Sequence, residues 1–103
     1  MLPNLIQVNK EIIFSGVFTF ETIEPILKKW AEVKKNKFLY EEVIINCEQV
    51  MKGDSSFIAL LIEMRRWSHY EGLVWNLVNL PKIIQASLVT YGVADFLKTI
   101  EFK

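Results

Sequence analysis

The stretch Val43-Ile44-Ile45-Asn46-Cys47-Glu48-Gln49-Val50-Met51-Lys52-Gly53-Asp54-Ser55-Ser56-Phe57 decides the fold. Val43 to Cys47 is a short apolar run headed by β-branched residues, the pattern of a strand buried on both faces as in parallel sheets. A loop through Gly53 leads to Asp54, and residues 55–70 form an unusually apolar helix with Phe57, Ile58, Ala59, Leu60, Leu61, Ile62, Met64 and Trp67. Gly72 ends that helix, and Leu73, Val74, Trp75, Leu77 and Val78 make the next strand. Strand, helix and strand form a βαβ unit, which brings Val43–Cys47 and Leu73–Val78 side by side and parallel through a right-handed crossover.

Upstream, residues 4–9 and 11–18 read as two short strands joined by a tight turn at Asn9-Lys10, with Gly16 marking a bulge or a close backbone approach. Residues 22–37 form an amphipathic helix. Ile23, Ile26, Leu27, Trp30 and Val33 share one face, and Lys28, Lys29, Glu32, Lys34 and Lys35 take the other as a solvated face. Pro25 suits the first turn, where no N–H is needed, and the lysines sit at the negative end of the helix dipole. Downstream, Pro81 opens a third helix bearing Ile83, Ile84, Leu88 and Tyr91, closed by Gly92. Residues 94–98 add a helical turn, and Ile100 to Phe102 read as a final edge strand. The expected architecture is α/β, with a mixed central sheet of four to five strands and helices packed against it.

The chain has 103 residues, enough for a single domain over 1–103 that buries a core without disulfide staples. Its hydrophobic fraction of 51% excludes disorder. Twelve basic and twelve acidic residues cancel, which removes the electrostatic basis for broad nucleic-acid or anionic-membrane binding and leaves open only a local patch. Cys47 is the lone cysteine and cannot form an internal disulfide; its apolar surroundings suggest a buried thiol in a reducing compartment. The opening residues lack a signal-peptide pattern, and no apolar run approaches the roughly 20 residues needed to span a bilayer. The expectation is a cytoplasmic protein that reaches a membrane only through a partner.

The residues offer little for catalysis. His69, the single histidine, lies late on a helix beside Arg66 and Tyr70 with no nucleophile or orienting group to pair with. The histidine, the cysteine and the scattered carboxylates form no metal-ligand cluster, and the four glycines form no phosphate-cradling loop. Glu41 and Glu42 are adjacent at a strand start, point to opposite sides and cannot act as an acid/base pair. The aromatics fall mostly at core spacing and are not interleaved with basic residues as a nucleic-acid platform would require. Trp30 reads as core, whereas Trp67 and Trp75 fit core or rim equally. Asp54 or Ser55 caps the second helix, a role that by itself accounts for both residue types. The same loop lies at the carboxyl edge of a parallel strand, where sites in open α/β sheets form, and the helix dipole there favours negative charge.

In this order the elements resemble the STAS family, named for sulfate transporters and anti-sigma-factor antagonists, over nearly the whole chain. The resemblance rests on Ile12-Ile13-Phe14-Ser15-Gly16 before the first helix, Val43 to Cys47, and the loop into Asp54-Ser55-Ser56. Asn79-Leu80-Pro81, Tyr91-Gly92 and the short Phe96-Leu97 tail also fit. The family marker is Asp-Ser/Thr followed by small residues at the start of the second helix. Asp54, Ser55 and Ser56 match it; Phe57 stands where glycine is usual, and Asn46 where relatives often have aspartate. The resemblance implies a STAS (SpoIIAA-like) fold and a non-catalytic docking module without cofactor or metal. Within the family, the brief opening hairpin and short C-terminal tail look most like the STAS subunits of phospholipid-transporting ABC complexes.

That likeness implies an accessory subunit that binds the transporter's ATPase subunit, inserts no segment into the membrane and binds no nucleic acid. Lys52, Asp54, Ser55, Ser56 and Phe57 are its expected contact residues. Ser55 occupies the hydroxyl position phosphorylated in anti-sigma-factor antagonists, so a serine-kinase-regulated antagonist is the alternative. Phe57 and the apolar second helix favour a constitutive interface over a switched one. Phe57 itself has two readings, an exposed aromatic anchor or a core residue.

Overall fold

A computed structural model describes residues 1–98. The elements are β1 (Asn4–Val8), β2 (Glu11–Phe18), α1 (Glu24–Lys35), β3 (Glu42–Gly53), α2 (Ser55–Tyr70), β4 (Val74–Val78), α3 (Lys82–Thr90) and α4 (Ala94–Leu97). The expected edge strand at Ile100–Phe102 lies outside the described residues. Among the described residues the sheet has four strands in the order β1-β2-β3-β4. β1 and β2 are antiparallel, while β2–β3 and β3–β4 are parallel. Val43 pairs with Trp75 and Ile45 with Leu77, so the two strands of the βαβ unit are neighbours as expected.

Asn9 turns the opening hairpin with a φ of 54°, a conformation asparagine tolerates better than most residues. Gly16 has a φ of 96°, and a Cβ there would lie 2.3 Å from the carbonyl oxygen of Leu2. The adjacent Val17 N–H donates to Met1 O at 3.2 Å. Gly16 therefore supplies both the bulge and the close approach.

Two expectations about β3 are corrected. The strand does not stop at Cys47 but runs to Gly53, with Ser15 opposite Gln49, Gly16 opposite Val50 and Phe18 opposite Gly53. Glu48 and Gln49 interrupt the apolar alternation, which made this segment read as a loop. β2 is long enough to pair with it nonetheless, and backbone pairing needs no apolar side chains. Nor is β3 buried on both faces: Val43, Ile45 and Cys47 are buried, whereas Ile44 and Asn46 are only half-buried. The crossovers through α1 and α2 step the same way across the sheet, so right-handed connections place both helices on one face. The other face carries Ile6, Val8, Ile13, Ile44 and Val78 with a polar network. There Asn46 Nδ2 donates to Glu11 Oε2 at 2.8 Å, Asn76 Nδ2 donates to Glu42 Oε2, and Lys10 pairs with Glu42 at 2.8 Å.

The core lies between the inner sheet face and the helices. Phe14, Phe18 and Phe57 form an aromatic cluster with centroid separations of 4.8–5.4 Å. Trp30 is buried edge-on against half-buried Trp67 at 5.0 Å. Trp75 is core, and its indole N–H donates to Leu97 O at 2.9 Å, which anchors α4 over β4. α1 is shorter than its apolar periodicity suggested, and Leu27 is 43% exposed instead of sharing the buried face of Ile26, Trp30 and Val33. None of the described helices is long and apolar enough to cross a membrane.

Candidate docking site

The start of α2 is organised by one carboxylate. Asp54 is the N-cap residue, in extended conformation, and its Oδ1 accepts from Ser56 N at 2.9 Å and from Ser56 Oγ at 2.5 Å. Its Oδ2 accepts from the Phe20 N–H at 2.8 Å, and its own N–H donates to Phe18 O at 3.0 Å. Asp54 thus caps α2 and ties it to the turn that follows β2. Burial of the carboxyl opposes ionisation, but the hydrogen bonds from Ser56, Phe20 and Phe57 outweigh it and hold the pKa below the ordinary aspartate value.

The five expected contact residues are adjacent in the chain but face different ways. Lys52 is exposed at the end of β3, opposite Val17. Ser55 is exposed on the first turn of α2, and its hydroxyl makes no hydrogen bond to the described residues. The Ser56 hydroxyl is half-buried and committed to Asp54. Phe57 is fully buried against Phe14 and Phe18, so the anchor reading is corrected in favour of core. The reason is local: Asp54 and Ser55 occupy the cap and first positions of α2, and the helical rotation from there turns position 57 towards the sheet.

The exposed aromatic at this edge is Phe20, which the sequence reading did not single out. It is 83% exposed, and its backbone is held through Asp54. The turn it sits in is closed by Thr22, whose N–H donates to Thr19 O at 2.9 Å and whose hydroxyl donates to Val17 O at 3.0 Å. The available signal was the tetrapeptide Thr19-Phe20-Glu21-Thr22, an isolated aromatic in a polar turn after the apolar strand had ended. Phe20, Ile23 and Leu27 form one wall of a shallow groove of about 410 Å³, and Ser56, Ala59 and Leu60 form the other, with Glu63 at its side. A larger apolar concavity of about 490 Å³, between β4, α3 and α4, shares no residue with this groove.

The arrangement has the chemistry of a binding edge. It offers a free hydroxyl at a helix N-terminus and an apolar groove with an exposed aromatic on its rim, while Lys52 lies outside that groove. The described residues hold no cluster of three or more histidine, cysteine or acidic side chains placed to bind a metal ion. No protein-family model matches the chain, and no curated relative matches it significantly.

Proposed function

We propose that the chain is a STAS-type, MlaB-like accessory subunit that docks onto the ATPase of a phospholipid-transporting ABC complex (an MlaF-like subunit) and supports its assembly and activity. In this role it serves the maintenance of outer-membrane lipid asymmetry and sits at the cytoplasmic side of the inner membrane through its partner, with no segment inserted into the bilayer. The observation that supports the reading is exposed Ser55 at the strand-to-helix junction that matches the STAS marker, next in the chain to Ser56, which lines the apolar groove. A preformed groove and a backbone-clamped Phe20 suit a constitutive contact, because little ordering entropy is lost on docking. Buried Phe57 stiffens the same edge from beneath.

The alternative, an anti-sigma-factor antagonist switched by serine phosphorylation, is supported by Ser55 alone. Its hydroxyl is free and exposed at the end of α2 where the dipole favours a phosphate.

Calorimetry with the purified ATPase subunit tests the docking reading. The wild-type chain binds, and Ser55→Glu abolishes binding at unchanged thermal stability, since an acidic residue is accepted in the first helical turn but an unpaired charge in a contact is costly. Undiminished binding by Ser55→Glu, or no binding by the wild type, overturns it. Phosphorylation of Ser55 by a co-encoded kinase, with release of an anti-sigma factor, would establish the alternative instead.

A further inference from the structure

The chain's only two arginines, Arg65 and Arg66, and its single histidine, His69, line one open concavity together with Tyr70 and Phe96. We propose that this concavity, of about 370 Å³ at the C-terminal half of α2, binds a phosphate group. The inference is independent of the docking site, with which it shares no residue.

Helical spacing creates the cluster. Arg65 and His69 are four residues apart, Arg66 and Tyr70 likewise, and Arg66 and His69 three, so their side chains stand over neighbouring turns. Arg65 is pinned before any ligand arrives. Its Nε donates to Phe96 O at 3.3 Å and its Nη1 to Ser68 Oγ at 3.4 Å. The guanidinium carbon lies 5.9 Å from the Trp75 ring centroid and 6.0 Å from that of Phe96. These contacts leave part of its five-donor fork unused. Arg66, His69 and Tyr70 are exposed, Tyr70 at 88%.

Neither arginine is in an ion pair among the described residues. Nearby carboxylates are engaged elsewhere: Glu63 faces Lys34 at 3.4 Å and Asp95 faces Lys98 at 3.7 Å, while Glu71 does not line the concavity. The helix end would repel an anion through its free carbonyls, but those of Trp67, Ser68 and His69 accept from the N–H groups of Glu71, Leu73 and Gly72.

The number of donors selects the ligand. A guanidinium fork fits carboxylate and phosphate alike, but the four lone pairs of a carboxylate are filled by two forks, leaving none for the imidazole and the phenol. Two guanidinium groups, an imidazole and a phenol are engaged together only by a group with three or four acceptor oxygens. A phosphorylated small molecule and a phospholipid headgroup both present one.

Proton–nitrogen NMR spectra, recorded while sodium phosphate replaces sodium chloride at constant ionic strength, test the inference. Saturable shifts are expected at the Nε–H resonances of Arg65 and Arg66. Arg66→Gln weakens them about tenfold, equivalent to about 1.4 kcal/mol, without altering the melting temperature. Sodium acetate produces no comparable shift.

A flotation assay with phosphatidylcholine vesicles, with and without phosphatidic acid, separates the sources. Flotation that requires both phosphatidic acid and Arg66 assigns the site to a lipid headgroup, and phosphate shifts without flotation assign it to a free phosphate compound; either result supports the proposal. It is overturned if phosphate gives no saturable shift and vesicles do not bind, if acetate acts at the same concentrations, or if Arg66→Gln changes nothing.

Discussion

A Cβ on Gly53 would lie 2.7 Å from Cδ2 of Phe57 and 3.2 Å from its Cβ. The last residue of β3 thus lacks a side chain because the ring four positions later occupies that space. Gly53 makes room for the Phe57 ring. Gly53→Ala overpacks the Phe14–Phe18–Phe57 cluster and is expected to cost about 1–3 kcal/mol. Phe57→Ala is expected to cost about 3–5 kcal/mol by leaving a cavity. In the Phe57→Ala background, Gly53→Ala should cost clearly less, because the 2.7 Å contact with the ring has gone and only the 3.2 Å contact with Cβ remains. Urea unfolding of the four proteins measures the coupling, and additive losses would contradict the steric account.

Asp54 makes stability acid-sensitive. Its carboxyl has a lower pKa folded than unfolded, so its contribution is present above the unfolded value of about 3.9 and is lost as pH falls through the folded value. Glu42 acts in the same direction: its hydrogen bond from Lys10 is the largest influence and lowers its pKa despite partial desolvation. The melting temperature is expected to fall below about pH 4. Asp54→Asn, which retains capping capacity, should fall less steeply from a lower starting point. A variant with the wild-type acid profile would remove Asp54 from the explanation.

Cys47 should be inert. It is fully buried on the inner sheet face, and desolvation pushes its thiol pKa up to about 12. At neutral pH almost none of it is the reactive thiolate. Native protein should therefore react with an aromatic disulfide reagent only on the timescale of unfolding, and promptly in denaturant. Rapid labelling of the native protein would show that β3 opens.

Phe20 should separate binding from folding. With 83% of its surface in solvent, Phe20→Ser is expected to change stability by no more than about 0.5 kcal/mol. Under the docking proposal it should weaken ATPase binding by about 2 kcal/mol or more, as loss of an aromatic anchor does. Paired melting and calorimetry measurements check both halves, and wild-type affinity would place the contact elsewhere.

The amino-acid pattern alone carries the order β-β-α-β-α-β-α, the parallel neighbours β3 and β4, a bulge or close approach at Gly16 and a cap at Asp54 or Ser55, of which the fold selects Asp54. Each of these is written in short-range signals: apolar period, a turn residue, a side chain that reaches an N–H two residues away. Which face of the sheet the helices cover is settled by the assembled fold, because it follows from two crossovers stepping the same way. The tertiary structure alone turned Phe57 inward and left Phe20 out, since both are aromatics near one edge and differ only in where the chain is clamped. It alone placed Trp75 in the core, through a hydrogen bond to a carbonyl 22 residues away. It also carried Phe96 to Arg65, a contact across 31 residues that no local pattern encodes.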